Sequence, residues 1–314
     1  MLEIFKSTET RVLERVDVIS KGCWINMFAP TAEEIAKVSN AAQIDIDIIK
    51  DALDDEERPR IERDDGRIYI IVDFPYIVLD ESGSGLEVYE TIPIGIILTE
   101  DHIITVSLKD SPIIEEFRKN RVKEFFTFKK TRFALQLLFV ISSYYLRYLK
   151  QINKKTNEIE RVVHQSLKNK ELYAFLALEK SLVYFTTSLK SNKVVLDKIL
   201  RFNYLKMYEE DKDLLEDVII EKTQAIEMAE TYHTILSGMM NAFASIISNN
   251  LNIVMKFLTS ITIILALPTM VASFYGMNVN IPFAHSAHAY AIPLVFSALF
   301  AGLTALIFWK KRYF

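Results

Sequence analysis

From Phe257 to Phe274 the chain carries no charged side chain, and the same holds from Ala289 to Trp309. Eighteen helical residues rise about 27 Å, just enough for a hydrocarbon core of ~30 Å. Two buried helices of a soluble core are the alternative, but such helices rarely lack a polar face over this length. Both segments are therefore read as membrane spans. Their position argues against a signal peptide, and the segment Glu3 to Arg15 is charged. The spans also reconcile two figures that otherwise conflict: the chain is 50% hydrophobic yet 25% charged.

Basic residues orient the spans. Lys256 begins the first, and Lys310, Lys311 and Arg312 end the second, whereas Asn278 to His288 holds no Lys or Arg. The positive-inside rule then places both ends in the cytoplasm of a cell-membrane protein, with the short loop outside. Tyr290, Trp309 and Tyr313 stand where interfacial aromatics are expected.

Several function classes drop out. A net charge of −4 speaks against nucleic acid as a partner. A single cysteine, Cys23, excludes an internal disulfide and a cysteine zinc cluster. His102, His164 and His233 are scattered, and no glycine loop is built to cradle phosphate. No catalytic residue and no organic cofactor is expected. His285 and His288 lie three apart in the outer loop without an acidic or cysteine companion, a poor metal site. Asp54-Asp55-Glu56-Glu57 reads as a solvated helix end.

Helix breakers divide the remainder. Between Pro112 and Pro268 there is no proline and one glycine, Gly238, so this stretch reads as helix. Ahead of it lies an α+β domain. Thr31 with Glu34 forms a capping box, and Asp45 or Asp47 opens a second helix running to about Leu53. Arg67–Val78, Tyr89–Leu98 and His102–Leu108 are rich in Ile, Val and Tyr and read as strands of a largely antiparallel sheet. Turns are expected at Asp65-Gly66, Ser82–Gly85 and Thr99–Asp101.

The expected organisation is an α+β cytoplasmic domain over 1–129, a helical hairpin over 130–212, and a stalk helix over 213–278 that continues into the first span. An external loop over 279–288, the second span over 289–309 and a basic tail over 310–314 follow. The apolar run Phe133–Tyr145 is too short to cross a bilayer and reads as core. So long a stalk helix needs partners. Leu214, Val218, Ala225, Met228, Tyr232, Ile235, Met239 and Ala242 fall mostly three and four apart, a spacing that suits a bundle of identical helices.

The first span has one polar edge. Asn252, Met255, Thr259, Thr262, Ala266, Thr269, Ser273 and Gly276 follow one another by steps of three and four, with Leu258 at the margin. Tight helix packing through small residues is one reading. The other is that several copies line a wet pathway, whose hydroxyls and amides hydrogen-bond ion-bound water while Met255 and Leu258 form apolar rings that gate by dewetting. Pro268 frees a carbonyl within this helix, and Gly276 permits the helix to end sharply. Asn278 then offers a neutral amide at the outer mouth. Mg²⁺ sheds water reluctantly, so recognition through its water shell is plausible there.

The run Pro268-Thr269-Met270-Val271-Ala272-Ser273-Phe274-Tyr275-Gly276-Met277-Asn278, followed by a second span and Lys310-Lys311-Arg312, resembles the CorA-type magnesium channel family. Asn252, Met255-Lys256 and Leu258 stand where that family places its inner constriction, and Arg58-Pro59-Arg60-Ile61-Glu62 resembles its basic-proline stretch. The resemblance implies a funnel-shaped homopentamer with Tyr275, Gly276, Met277 and Asn278 as the selectivity region. It also implies transported Mg²⁺ and a regulatory Mg²⁺ between subunits, held by Asp51 and a neighbour's Asp217. Loss of that ion favours open forms, giving negative feedback by cytosolic Mg²⁺.

Three departures stand out. Val279–His288 lacks the acidic residue common after the triplet, and Lys50 precedes Asp51 where an acidic neighbour is common. The hairpin around Arg147–Lys170 is basic, through Lys150, Lys154, Lys155, Arg161, Lys168 and Lys170. The rivals are the same architecture carrying Co²⁺, Ni²⁺ or Zn²⁺, and a non-conducting membrane-tethered sensor or scaffold. Apart from Met255, the polar edge carries no soft ligand, which favours Mg²⁺.

Overall fold

A computed structural model of the chain describes residues 1–8, 12–79, 87–165, 169–278 and 290–311. Two compact units are present, Met1–Ser237 and Gly238–Phe314. The turn expected at Ser82–Gly85, Lys168 of the basic hairpin, the external loop over 279–288 with His285 and His288, and Arg312 and Tyr313 lie outside the described residues.

The first unit is built on a sheet of seven described strands: β1 (Leu2–Ser7), β2 (Leu13–Arg15), β3 (Trp24–Phe28), β4 (Arg60–Asp64), β5 (Arg67–Leu79), β6 (Glu87–Leu98) and β7 (Ile103–Ser107). They lie in the order β2-β1-β3-β7-β6-β5-β4. Every pairing is antiparallel except β3 with β7. Asp64 pairs with Arg67 across Asp65-Gly66, whose φ angles of 45° and 78° make the tight two-residue hairpin that this dipeptide favours. The sequence reading places no strand before Arg67, so β1 to β4 are additions.

Helices cover both faces of the sheet. α1 (Ala32–Ala42) starts with the Thr31–Glu34 capping box, and α2 (Ile46–Asp51) is capped by Asp45, whose side chain accepts the Asp47 N–H at 3.1 Å. Ile35, Val38, Ile49 and Ala52 join Ile25, Met27, Ile104 and Val106 in one apolar core. Trp24 points to the opposite face, where it meets Phe5, Phe117, Phe125 and Phe133 and donates to Thr105 Oγ1 at 2.9 Å. Phe117 of α3 (Pro112–Arg118) and Phe133 of α4 (Lys130–Gln165) cover that side, and α5 (Asn169–Phe202) packs on β5 and β6. α3 opens at Ser111 with Pro112 in the first turn, a start signal that the sequence reading passes over.

The long helix α6 (Glu209–Tyr275) begins four residues before the expected Asp213. Within the first unit its buried positions are Asp211, Leu215, Val218, Lys222, Ala225, Ile226, Ala229 and Leu236. Its Glu230 pairs with Lys190 of α5 at 2.7 Å, and Lys222 lies over the Tyr145 ring of α4. Val218 and Ala225, expected to face identical helices, are thus buried within their own chain. Ile235 is exposed.

The second unit holds the rest of α6 and α7 (Ala291–Lys310). Among the described residues, α6 and α7 are the two helices long and apolar enough to cross a membrane.

Candidate ion pathway and cytosolic cation site

The membrane part of α6 has two unlike faces. Ser260 is 1% exposed, and Ile261, Ile264, Leu267, Pro268, Val271 and Tyr275 are half-buried. Asn252, Met255, Leu258, Thr259, Thr262, Ala266, Thr269 and Ser273 are exposed. At about 100° per residue the centres of the two sets fall roughly 180° apart. On α7 the half-buried positions include Pro293, Ser297, Ala301, Thr304, Ala305 and Phe308, a row of mostly small side chains that lets helices approach closely. Leu294, Phe296, Leu299, Leu303, Leu306 and Trp309 are exposed, as lipid-facing residues are expected to be.

Hydroxyl geometry gives the exposed edge a polarity. Thr262 donates to the Leu258 carbonyl at 2.9 Å, Thr269 to Leu265 at 3.0 Å and Ser273 to Thr269 at 2.8 Å. Each proton is directed back to the backbone. The oxygen lone pairs are left for an outside donor, such as water around a cation. Pro268 lies on the half-buried side, so the carbonyl it frees, that of Ile264, sits away from the polar edge.

At the C-terminal end of α6 the Gly276 N–H bonds the Ala272 carbonyl at 2.9 Å and the Met277 N–H bonds the Phe274 carbonyl at 3.3 Å. Among the described glycines, only Gly22 and Gly66 have positive φ. Gly276 therefore does not end the helix through a left-handed turn, as its position suggests. It supplies room instead: a Cβ there would sit 3.3 Å from the Ala272 oxygen and 3.5 Å from the Ser273 oxygen. Asn278 follows and is exposed.

Of the two candidate aspartates, Asp51 ends α2. That helix is seated on β6 at Gly95, where an added Cβ would come within 2.6 Å of Ala52 Cβ. Asp51 is 37% exposed, and its Oδ2 accepts from Arg60 at 2.6 Å. Arg60, 28% exposed, also contacts Glu57 and pairs with Glu62 at 2.9 Å. Burial opposes its charge, but these carboxylates outweigh burial and hold the guanidinium above its ordinary pKa. Lys50 instead faces Asp47 at 3.5 Å. Asp217 is exposed on α6. Among the described residues of one chain, no three His, Cys, Asp or Glu side chains gather into a metal site. The acidic run before Arg58 is partly committed: Asp54 accepts the Glu56 N–H and Glu57 the Arg58 N–H, each at 3.0 Å.

Comparison with known proteins places this architecture. The family described as CorA-like Mg²⁺ transporter protein matches residues 20–312. The chain belongs to that family. Among curated relatives, it is 27% identical to the cobalt/magnesium transport protein CorA of Methanocaldococcus jannaschii, over 92% of this chain and 90% of the relative. It is 26% identical to the protein of the same description from Thermotoga maritima, over 98% and 88%. Among solved structures, the complete CorA magnesium transporter of M. jannaschii superposes with a TM-score of 0.85 at 25% identity, covering 100% of this chain and 99% of that one.

Within this CorA-like chain, the donor set at Asp51 fits Mg²⁺ in kind, since a part-exposed carboxylate is a hard oxygen ligand. The sequence reading passes over Arg60, which lies in the very run that carries the resemblance. It also passes over a buried cluster of Lys222, Asp73 and Tyr145. Lys222 is 2% exposed, and burial pushes its ammonium down to about 7 against the pull of Asp73. Burial likewise raises the Asp73 carboxyl to about 6. Position 222 falls in step with buried Val218, Ala225 and Ala229, and that phase was the available signal.

Proposed function

We propose that the chain forms a homopentameric channel that passes hydrated Mg²⁺ across the cell membrane into the cytoplasm. The observation that carries this reading is the orientation of the polar edge of α6. Its hydroxyl oxygens present acceptors on the face opposite the half-buried side. A single chain leaves that face open, and a ring of identical chains turned inward makes it the wall of a wet axis. Water of a hydrated cation donates hydrogen bonds to such a wall, so the ion need not shed its shell. The pentamer itself rests on the family resemblance.

In this reading Tyr275, Gly276, Met277 and Asn278 form the selectivity region, with the Asn278 amide binding through water. Asn252, Thr259, Thr262, Ala266, Thr269 and Ser273 line the path, and Met255 and Leu258 close it by dewetting. Both termini are cytoplasmic. An inside-negative potential contributes ~2.3 kcal/mol per charge per 100 mV, or about 4.6 for a divalent ion, so no further drive is required. Asp51 and a neighbour's Asp217 hold regulatory Mg²⁺, which offsets carboxylate repulsion and favours the closed ring.

The curated relatives are described as cobalt/magnesium transporters, which makes Co²⁺ the rival cargo. The oxygen-rich wall supports Mg²⁺ first. The test is flux into proteoliposomes with Mg²⁺, Co²⁺, Ni²⁺ and Zn²⁺ in parallel. Mg²⁺ uptake is expected in the wild type and its loss in Asn278→Ala. Undiminished uptake by that variant refutes the selectivity assignment, and absence of flux for every ion favours a tethered sensor.

A further inference from the structure

We propose that Arg60 is a tethered counter-cation that competes with divalent metal for Asp51 and so sets the concentration at which the cytosolic site fills. The inference rests on the reading of Asp51 as a cation ligand and adds to it the residue that tunes it. The geometry is specific. The Arg60 guanidinium donates to Asp51 Oδ2 at 2.6 Å, so it occupies a lone pair and offsets the charge that a metal ion at Asp51 would use.

Displacement is feasible for two reasons. Asp51 is 37% exposed, so an ion in the cytosol reaches it without opening the core. Arg60 also has two other carboxylates, Glu57 and Glu62, and on releasing Asp51 it keeps both. No part-buried cation is then left uncompensated, which is what usually makes breaking such a pair expensive. Arg60 leads β4 and Asp51 ends α2, itself fixed against Gly95, so backbone on both sides holds the two groups in reach. Lys50, the more obvious competitor from its place in the sequence, is engaged by Asp47 at 3.5 Å.

The experiment is a Mg²⁺ titration of the full-length protein in detergent, read as the rise in melting temperature rather than as flux. Wild type, Arg60→Gln, Arg60→Lys and Asp51→Asn are compared. Removing a part-exposed arginine–carboxylate pair should lower the Mg²⁺ midpoint of Arg60→Gln about fivefold, the ratio equivalent to ~1 kcal/mol. Arg60→Lys keeps a positive charge but loses the fork that spans three carboxylates, so its midpoint should fall between those of Arg60→Gln and wild type. Asp51→Asn should lose the response. A wild-type midpoint in Arg60→Gln, with the response still lost in Asp51→Asn, overturns the competition while leaving Asp51 as a ligand. Equal downward shifts in Arg60→Gln and Arg60→Lys also overturn it, because charge is then not the cause. An unchanged titration in Asp51→Asn removes Asp51 from the site and the role of Arg60 with it.

Discussion

Lys222 offers a sharp quantitative test of how α6 is held to the rest of the first unit. Its ammonium is 2% exposed and lies 5.0 Å above the Tyr145 ring. Tyr145 donates its hydroxyl to the Asp73 carbonyl at 3.2 Å, and Asn192 brackets the Asp73 backbone at 2.9 and 2.7 Å. Burial lowers the lysine from an ordinary 10.5 to about 7, and the Asp73 carboxylate is the one charge pulling it back. At ~1.36 kcal/mol per unit, a charged Lys222 at pH 7 costs on the order of 4 kcal/mol relative to the unfolded chain. The sign follows from proton counts. Between pH 7 and 10.5 the unfolded chain holds the proton and the native chain has lost it. Stability contributed by this group therefore rises with pH across that window and is at its lowest below 7. Replacing Lys222 by Met removes the slope. Because that change strands Asp73, whose carboxyl is itself raised to about 6, the cleaner variant pairs Lys222→Met with Asp73→Asn. Denaturant unfolding of the detergent-solubilised chain at several pH values from 6.5 to 9.5 reads the effect. The double variant should exceed wild type by several kcal/mol at pH 6.5, and the gap should narrow steadily toward pH 9.5. A gap that stays constant with pH refutes the assignment of a destabilising buried charge.

Two other substitutions probe the fold and the pathway. Gly95→Ala drives a Cβ to 2.6 Å from Ala52 Cβ and should cost ~1–3 kcal/mol in thermal unfolding, with recovery in the Gly95→Ala/Ala52→Gly pair. Absence of recovery would place the strain elsewhere. Thr269→Val keeps the side-chain shape but removes the outward oxygen, and in a ring it removes every copy at once. Mg²⁺ flux into proteoliposomes should fall by on the order of tenfold. Wild-type flux in this variant argues that the polar edge packs against protein and does not face the ion.

What the sequence makes legible depends on whether the signal is local. Pro112 and Pro268 bracket a stretch nearly free of breakers, and three of its helices, α4, α5 and α6, are each at least 34 residues long. The capping box at Thr31, the Asp45 cap and the Asp65-Gly66 hairpin each lie within four residues, so propensity alone reveals them. β3 is another matter. Four of its five residues are buried, because helices cover both faces, and the alternation that betrays a strand is absent. Its partner β7 lies some eighty residues on in parallel register. Nothing local at Trp24 announces that pairing.

The same distinction explains the site. The polar edge of α6 is visible in steps of three and four because one helix carries it whole. Its orientation is not, because a stripe has no outside until a second surface covers the other face. The half-buried row Ile261, Ile264, Val271 and Tyr275 supplies that reference and places the threonines opposite. At Asp51 the missing fact is a contact across nine residues, from the end of a helix to the start of a strand. Charge order along the chain singles out Lys50, the adjacent cation, yet helical geometry carries Lys50 back to Asp47 and the α2–β4 turn delivers Arg60 instead. The exposed polar edge of α6 and the cation beside the Asp51 carboxylate are both decided by what packs behind them.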